Sequence, residues 1–412
     1  MTASRVVNFG CRLNAAEAAT IEALLAQAGD RDTLVVNTCA VTQEAERDAL
    51  AAIRRLRRGN PSARIVVTGC AAQLDPKRYE ALAEVDAVIG NRDKLDPAVW
   101  STRESAVSDI MARQDFVAGD IGLAEGRTRA FIEVQQGCDH RCTFCVIPYA
   151  RGPSRSLPAD AATARVAQAV AAGRREVVLT GVDLTAWGGD LPGHPRLGEL
   201  CATILDAVPG LARLRLSSVD PAELDDGIFS LLRHESRFAP FLHLSVQAGD
   251  DLILKRMKRR HSRAQVLDTV ACARAARPDI AFAADLIAGF PTESEDAFAN
   301  TLALVDEATL SNAHVFAYSP RPGTPAARMR PLPEATVRQR AQILRTAVAA
   351  TRSRYLAGRI GEAAEVLVEK SGRDGLDAQG IRVRLDGLHP RGALVRARIV
   401  GHEANGLTGV PA

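Results

Sequence analysis

Short β-rich runs alternate with helical stretches along most of this chain, and that alternation constrains its fold more than any other feature. Residues 4–10, 33–38, 64–68 and 87–90 read as strands, with helical patterns over 14–28 and 43–57 between them. Strands alternating with helices pack as a parallel, doubly wound α/β sheet. A second series follows, with strands expected at 131–135, 176–180, 213–217, 243–247, 281–287 and 314–318 and helices at 159–172, 262–276 and 295–307. About six such units form a partial (β/α)6 barrel, whose chemistry sits at the C-terminal strand ends. The tail changes texture: residues 365–370, 381–385 and 394–400 alternate like antiparallel strands of a small C-terminal β module. These shifts divide the chain into 1–110, 124–354 and 355–412, with the weakly periodic segment 96–126 as linker.

Composition narrows the class. With 47% hydrophobic and 25% charged residues in 412, the chain reads as a soluble globular protein. No apolar run approaches the length of about 20 residues that a membrane span needs, and no basic-then-apolar leader opens the sequence. A cytoplasmic location is expected. Net charge is only +3, so partners must be sought in local charge runs. Eight cysteines are too few for a disulfide scaffold of this size, and clustered ones point to metal or catalysis.

The clustered ones are Cys138, Cys142 and Cys145, spaced Cys-x3-Cys-x2-Cys directly after the first strand of the second series. Three thiolates this close can hold three irons of a cubane cluster and leave the fourth open to an exogenous ligand. The alternative is a zinc knuckle. Zinc favours four closed ligands, and only His140, inside the loop itself, is at hand.

Cys11, Cys39 and Cys70 are far apart in sequence, yet each ends or follows a strand of the first series. Adjacent parallel strands present their C-terminal ends along one edge, so the three thiols are expected to converge. Cys201 and Cys272 fall within helical patterns and read as core residues. In the tail, Arg382, Arg384, Arg396 and Arg398 alternate along two strands, which places them on one face. The preceding helix is rich in arginine, Arg352 and Arg354 included, and its own sequence offers only Glu334 in opposition. Such a surface suits phosphate contacts. Residues 255–260, five of them basic, form another candidate patch.

The cysteine loop resembles that of the radical-SAM superfamily, and the resemblance continues around the barrel. It implies a 4Fe–4S cluster on Cys138, Cys142 and Cys145 that binds S-adenosylmethionine (SAM) and cleaves it reductively. Phe144 would lie against the adenine and Asp183 near the amino group; Ser217-Ser218, Ser245-x-Gln247 and Asp285 end later strands, where SAM or substrate contacts fall. Two three-cysteine sites in this order, with Gly10-Cys-Arg-Leu-Asn14, Asn37-Thr-Cys39, Cys145-Val-Ile-Pro148, Gly289-Phe-Pro-Thr-Glu293 and Pro320-Arg-Pro-Gly-Thr324, resemble the methylthiotransferase family over essentially the whole chain. That implies a second 4Fe–4S cluster on Cys11, Cys39 and Cys70, a sulfur source, an electron donor, and a TRAM-like RNA-binding module at the C-terminus. Thr143-Phe-Cys-Val-Ile-Pro148 and Leu216-Ser-Ser-Val-Asp-Pro221 most resemble the branch acting on threonylcarbamoyladenosine in the tRNA anticodon stem-loop. The alternatives are isopentenyladenosine tRNA, a ribosomal-protein aspartate, or a non-enzymatic cluster-bearing RNA binder.

Overall fold

The computed structural model describes residues 5–10, 12–102, 104–112, 115–116, 128–369 and 371–412. Cys11 lies outside the described residues, as do 117–127, the later part of the expected linker. The earlier part of that linker is not structureless: it holds the helix Pro97–Thr102 and a single 3-10 turn, Ile110–Ala112.

The N-terminal sheet has four parallel strands in sequential order, Arg5–Asn8, Thr33–Thr38, Arg64–Gly69 and Ala87–Ile89. Side chains alternate faces along a strand, and both faces are covered. Val35, Val66 and Ala87 pack beneath Ile21, Leu24, Leu25 and Trp100, whereas Val36, Val67 and Val88 pack beneath Ala49, Ile53 and Tyr79. The helix Gln43–Gly59 starts where Thr42 accepts from the Ala45 N–H. Glu44 and Glu46 in its first turn, and Arg57 and Arg58 in its last, complement the helix dipole.

The central domain is a partial barrel made of two four-stranded sheets. The first orders Arg155–Ser156, Arg129–Gln136, Glu176–Gly181 and Arg213–Leu216; the second orders Ser218–Val219, Phe241–Gln247, Ala281–Ala288 and Leu310–Ala317. All pairings are parallel except that of the short strand Arg155–Ser156. The two sheets meet at Ser217, where the strand breaks. The last barrel strand starts four residues before the expected 314, because Ser311 and Asn312 mask its opening from a hydrophobicity reading.

The helix Glu334–Gly358 runs from the barrel to a closed five-stranded β-barrel built from Ala363–Val368, Asp374–Leu376, Arg382–Leu385, Leu394–Glu403 and Gly406–Pro411. Two of its strands went unread in the sequence. One is only three residues long and the other carries two glycines. The module is docked by a buried carboxylate. Glu176 pairs with Arg213 and Arg215, which in turn donate to the carbonyls of Glu365, Asp377 and Ala378. No described helix is long and apolar enough to cross a membrane.

Candidate active site

The C-terminal ends of the barrel strands and of the N-terminal sheet face one cavity of about 640 Å³. Its wall includes Gly10 and Cys39 from one domain, Phe144 and Cys145 from the cluster loop, and Ser217, Ser218 and Gln247 from later barrel strands.

The cluster loop is held from several sides. The Cys138 N–H donates to the Gly152 carbonyl, Thr143 donates through N and Oγ1 to the Met257 and Arg256 carbonyls, and the Ala326 N–H donates to Thr143. Gly137 permits the loop's start: its φ is +71°, and a Cβ there would lie 1.8 Å from the Pro153 carbonyl oxygen. Gln135 is fully buried. Its amide donates to the Gly137 carbonyl and the Ser154 hydroxyl, and its oxygen accepts from the Asp183 N–H at 2.7 Å. Burial raises the thiol pKa of Cys138 and of Cys145, the latter to about 12, with the neighbouring cysteines adding to the effect. Three thiols in one short loop offer soft ligands, and coordination would hold them as thiolates.

Asp183 points at the loop. Its Oδ2 lies 2.9 Å from His140 Nε2 and 3.5 Å from Cys138 Sγ, so it reaches the cluster loop and not the cavity wall. Within residues 255–260, Arg259 is an interior residue: it pairs with Asp220 at 2.7 Å, donates to the Ser245 carbonyl and reaches Cys142 Sγ at 3.6 Å. Gln247 adopts φ +72° at a shift in strand register, which turns it to the cavity. The Ser217 and Ser319 hydroxyls and the Tyr318 phenol are buried without hydrogen bonds, and all three residues line the cavity. Buried polar atoms of this kind need partners, and a polar ligand such as SAM would supply them. The residues present therefore fit a three-cysteine cluster with SAM beside it.

Of the N-terminal cysteines, Cys39 lines the same cavity and Cys70 lies near Cys145. Gly10 lies close enough to Cys39 that a Cβ on it would stand 3.2 Å from the sulfur. Gly69 (φ +98°) lets Cys70 start its helix directly against the neighbouring strand, where a Cβ would lie 2.3 Å from the Thr38 carbonyl oxygen. Beneath Cys70 lies a buried polar network. Arg151 donates through Nε to Cys70 Sγ at 3.2 Å, and through its terminal nitrogens to Glu17 and Asn14. Lys94 pairs with Glu17 at 2.6 Å and with Asn91, whose amide reaches Cys70 Sγ and the Ala150 carbonyl. Asn14 stands within one of the sequence motifs, whereas Lys94 and Asn91 carried no local signal.

Two expectations need correction. Cys272 is exposed, unlike the fully buried Cys201, because the buried stripe of its helix runs through Val266, Thr269, Val270, Ala273 and Ala276. The arginine-rich helix does have acidic partners, and they come from other elements. Arg354 pairs with Asp306, Arg340 with Glu293 and Glu295, and Arg359 with Glu362 and Asp377, while Arg352 donates to the Ser311 carbonyl. Arg382, Arg384, Arg396 and Arg398 stay on the outer wall of the small barrel, with Arg384 near Glu403 and Asp374.

Residues 132–305 match the model of the radical SAM superfamily, and residues 4–90 match that of the Uncharacterized protein family UPF0004. A threonylcarbamoyladenosine tRNA methylthiotransferase MtaB of Rickettsia prowazekii is 46% identical over 97% of this chain and 95% of its own length. The MtaB protein of Thermotoga maritima is 35% identical over 90% of the chain and 87% of its own length. A tRNA-2-methylthio-N(6)-dimethylallyladenosine synthase of Erythrobacter litoralis is 35% identical over 98% and 96%. Among solved structures, the radical S-adenosylmethionine methyltransferase TsrM of Kitasatospora setae superposes with a TM-score of 0.55 at 14% identity, covering 79% of this chain and 77% of that one, a likeness of fold. With a 4–90 domain, a radical-SAM barrel and near full-length relatives of one enzymatic type, the chain belongs to the radical-SAM methylthiotransferase family.

Proposed function

We propose that this enzyme replaces the C2 hydrogen of N6-threonylcarbamoyladenosine, beside the tRNA anticodon, with a methylthio group. The observation that carries this reading is the shared cavity, with Cys39 on one wall and Cys145 on another. A sulfur-bearing centre and a radical-generating centre must both reach one carbon. When bound, the cluster on Cys138, Cys142 and Cys145 supplies an electron that cleaves SAM, and a second SAM supplies the methyl group. The protein's part is positional. Phe144, Ser218 and Gln247 hold SAM against the cluster loop, with Asp183 acting through His140. Cys11, Cys39 and Cys70 hold a second 4Fe–4S cluster that carries the sulfur. A low-potential electron donor and a sulfide-level sulfur source complete the balance.

The similarity to MtaB proteins supports threonylcarbamoyladenosine as the target, since the relative with 46% identity carries that name. Arg382, Arg384, Arg396 and Arg398 on the outer wall supply the phosphate grip, and splayed anticodon-loop bases suit entry to a cavity. The test is mass spectrometry of tRNA nucleosides from a deletion strain. Loss of the 2-methylthio group from threonylcarbamoyladenosine alone is expected. Loss from isopentenyladenosine, or from a ribosomal protein with intact tRNA, would refute the substrate.

A further inference from the structure

Three consecutive barrel strands bring His243, Asp285 and His314 together on the cavity wall, and no role assigned above uses the trio. His243 donates through Nε2 and His314 through Nδ1 to the same oxygen, Asp285 Oδ1, at 3.0 and 3.1 Å. The two imidazoles meet edge to face with centroids 5.1 Å apart. Asp285 Oδ2 and His314 Nε2 have no hydrogen-bond partner among the described residues.

Burial alone would raise the pKa of Asp285. The hydrogen bonds from His243 and His314 outweigh it and hold the carboxyl below its ordinary range. The group is thus ionised and can only accept. Ile287, Phe316 and Ala317 make the neighbouring wall apolar. A charged acceptor in that setting favours a ligand that brings a donor, and penalises one that brings hydrocarbon. Sites built to hydrogen-bond a substrate group reject analogues lacking it far more strongly than apolar pockets reject an extra methylene.

We propose that His243, Asp285 and His314 form the subsite for the N6 substituent of the target adenosine, selecting a polar, urea-containing group over a hydrocarbon one. The inference rests on the substrate reading above and deepens it. A urea N–H donates to Asp285 Oδ2, while the hydroxyl or carboxylate at the substituent's end meets His314, whose side chain is 53% exposed. His243 is buried and fixes Asp285, so it is a positioning residue.

The test uses two anticodon stem-loop RNAs, one carrying threonylcarbamoyladenosine and one dimethylallyladenosine. Dissociation constants for both, with SAM present, are measured for wild type, Asp285→Asn and the exposed-site variant His314→Phe. Losing one charge-assisted hydrogen bond should weaken binding of the threonylcarbamoyl RNA by roughly 10- to 100-fold. Binding of the dimethylallyl RNA should hold or tighten, so the ratio collapses; His314→Phe should shift it in the same sense. Equal weakening of both RNAs, or an unchanged ratio with weaker SAM binding, would overturn the subsite. So would stoichiometric Mn2+ binding by wild type that Asp285→Asn abolishes. A wild type that methylthiolates only the dimethylallyl RNA would refute the substrate reading itself. That result is distinguishable from an unchanged ratio in an enzyme that prefers the threonylcarbamoyl RNA.

Discussion

Arg151 Nε lies 3.2 Å from Cys70 Sγ, so a residue of the barrel's cluster-loop helix donates directly to a cysteine of the N-terminal sheet. The rest of its guanidinium is spent on Glu17 and Asn14, inside the protein. One side chain thereby fastens two domains beneath their shared cavity. Arg151→Met should lower stability by about 3–5 kcal/mol, because Glu17 stays buried with Lys94 as its one remaining cation among the described residues. Urea denaturation checks this, and Arg151→Lys should recover part of the loss.

The two cysteine sets should separate in function. Cys142→Ala should abolish reductive cleavage of SAM, whereas Cys39→Ala should still form 5′-deoxyadenosine and transfer no sulfur. Quantifying 5′-deoxyadenosine and methylthiolated product in the same reaction reads both. A folded Cys39→Ala protein that fails to cleave SAM would contradict the division of roles proposed here.

Acid should loosen the joint between barrel and RNA module. Burial would raise the pKa of Glu176, but Arg215 and Arg213 outweigh it and hold the carboxyl at about 2. A depressed carboxylate contributes stability above its unfolded pKa, near 4.5, and loses that contribution as pH falls toward 2. The contribution at neutral pH is on the order of 3 kcal/mol. Denaturation midpoints across this window should fall for wild type and change less for Glu176→Gln, which should already be weakened at pH 7.

RNA affinity should separate free arginines from engaged ones. Each phosphate contact contributes about −0.9 to the slope of log K against log salt on duplex DNA, and tRNA should behave comparably. Arg396→Gln with Arg398→Gln should flatten the slope measurably. Arg354→Gln should leave it nearly unchanged, because that guanidinium is paired with Asp306. Equal slopes for all variants would remove the outer wall of the small barrel from the RNA interface.

Legibility in the sequence followed locality. The strand Thr33–Thr38 was read to the residue because a short run rich in β-branched residues follows the turn-forming Gly29-Asp-Arg-Asp32. The cysteine loop was legible for the same reason: its three cysteines lie within eight residues. Partners brought from afar were not. Lys94 meets Glu17 across 77 residues, and Asp306 meets Arg354 across 48. The helix therefore looked unopposed in sequence while being opposed in space. The His243–Asp285–His314 group was hidden likewise, since each member belongs to a different strand and only Asp285 stood near a motif.

Inherited damage to such an enzyme would not be confined to its ligands. Gly69 and Gly137 have no side chain to offer iron, yet each precedes a cysteine and lies where an added methyl would collide with backbone. An alanine at either site would leave every candidate iron ligand in the gene and misplace the sulfur that follows. Surveys that rank alleles by the loss of metal-binding residues would score these changes as harmless. A glycine-to-alanine scan scored by iron content per chain should rank Gly137→Ala beside Cys138→Ala.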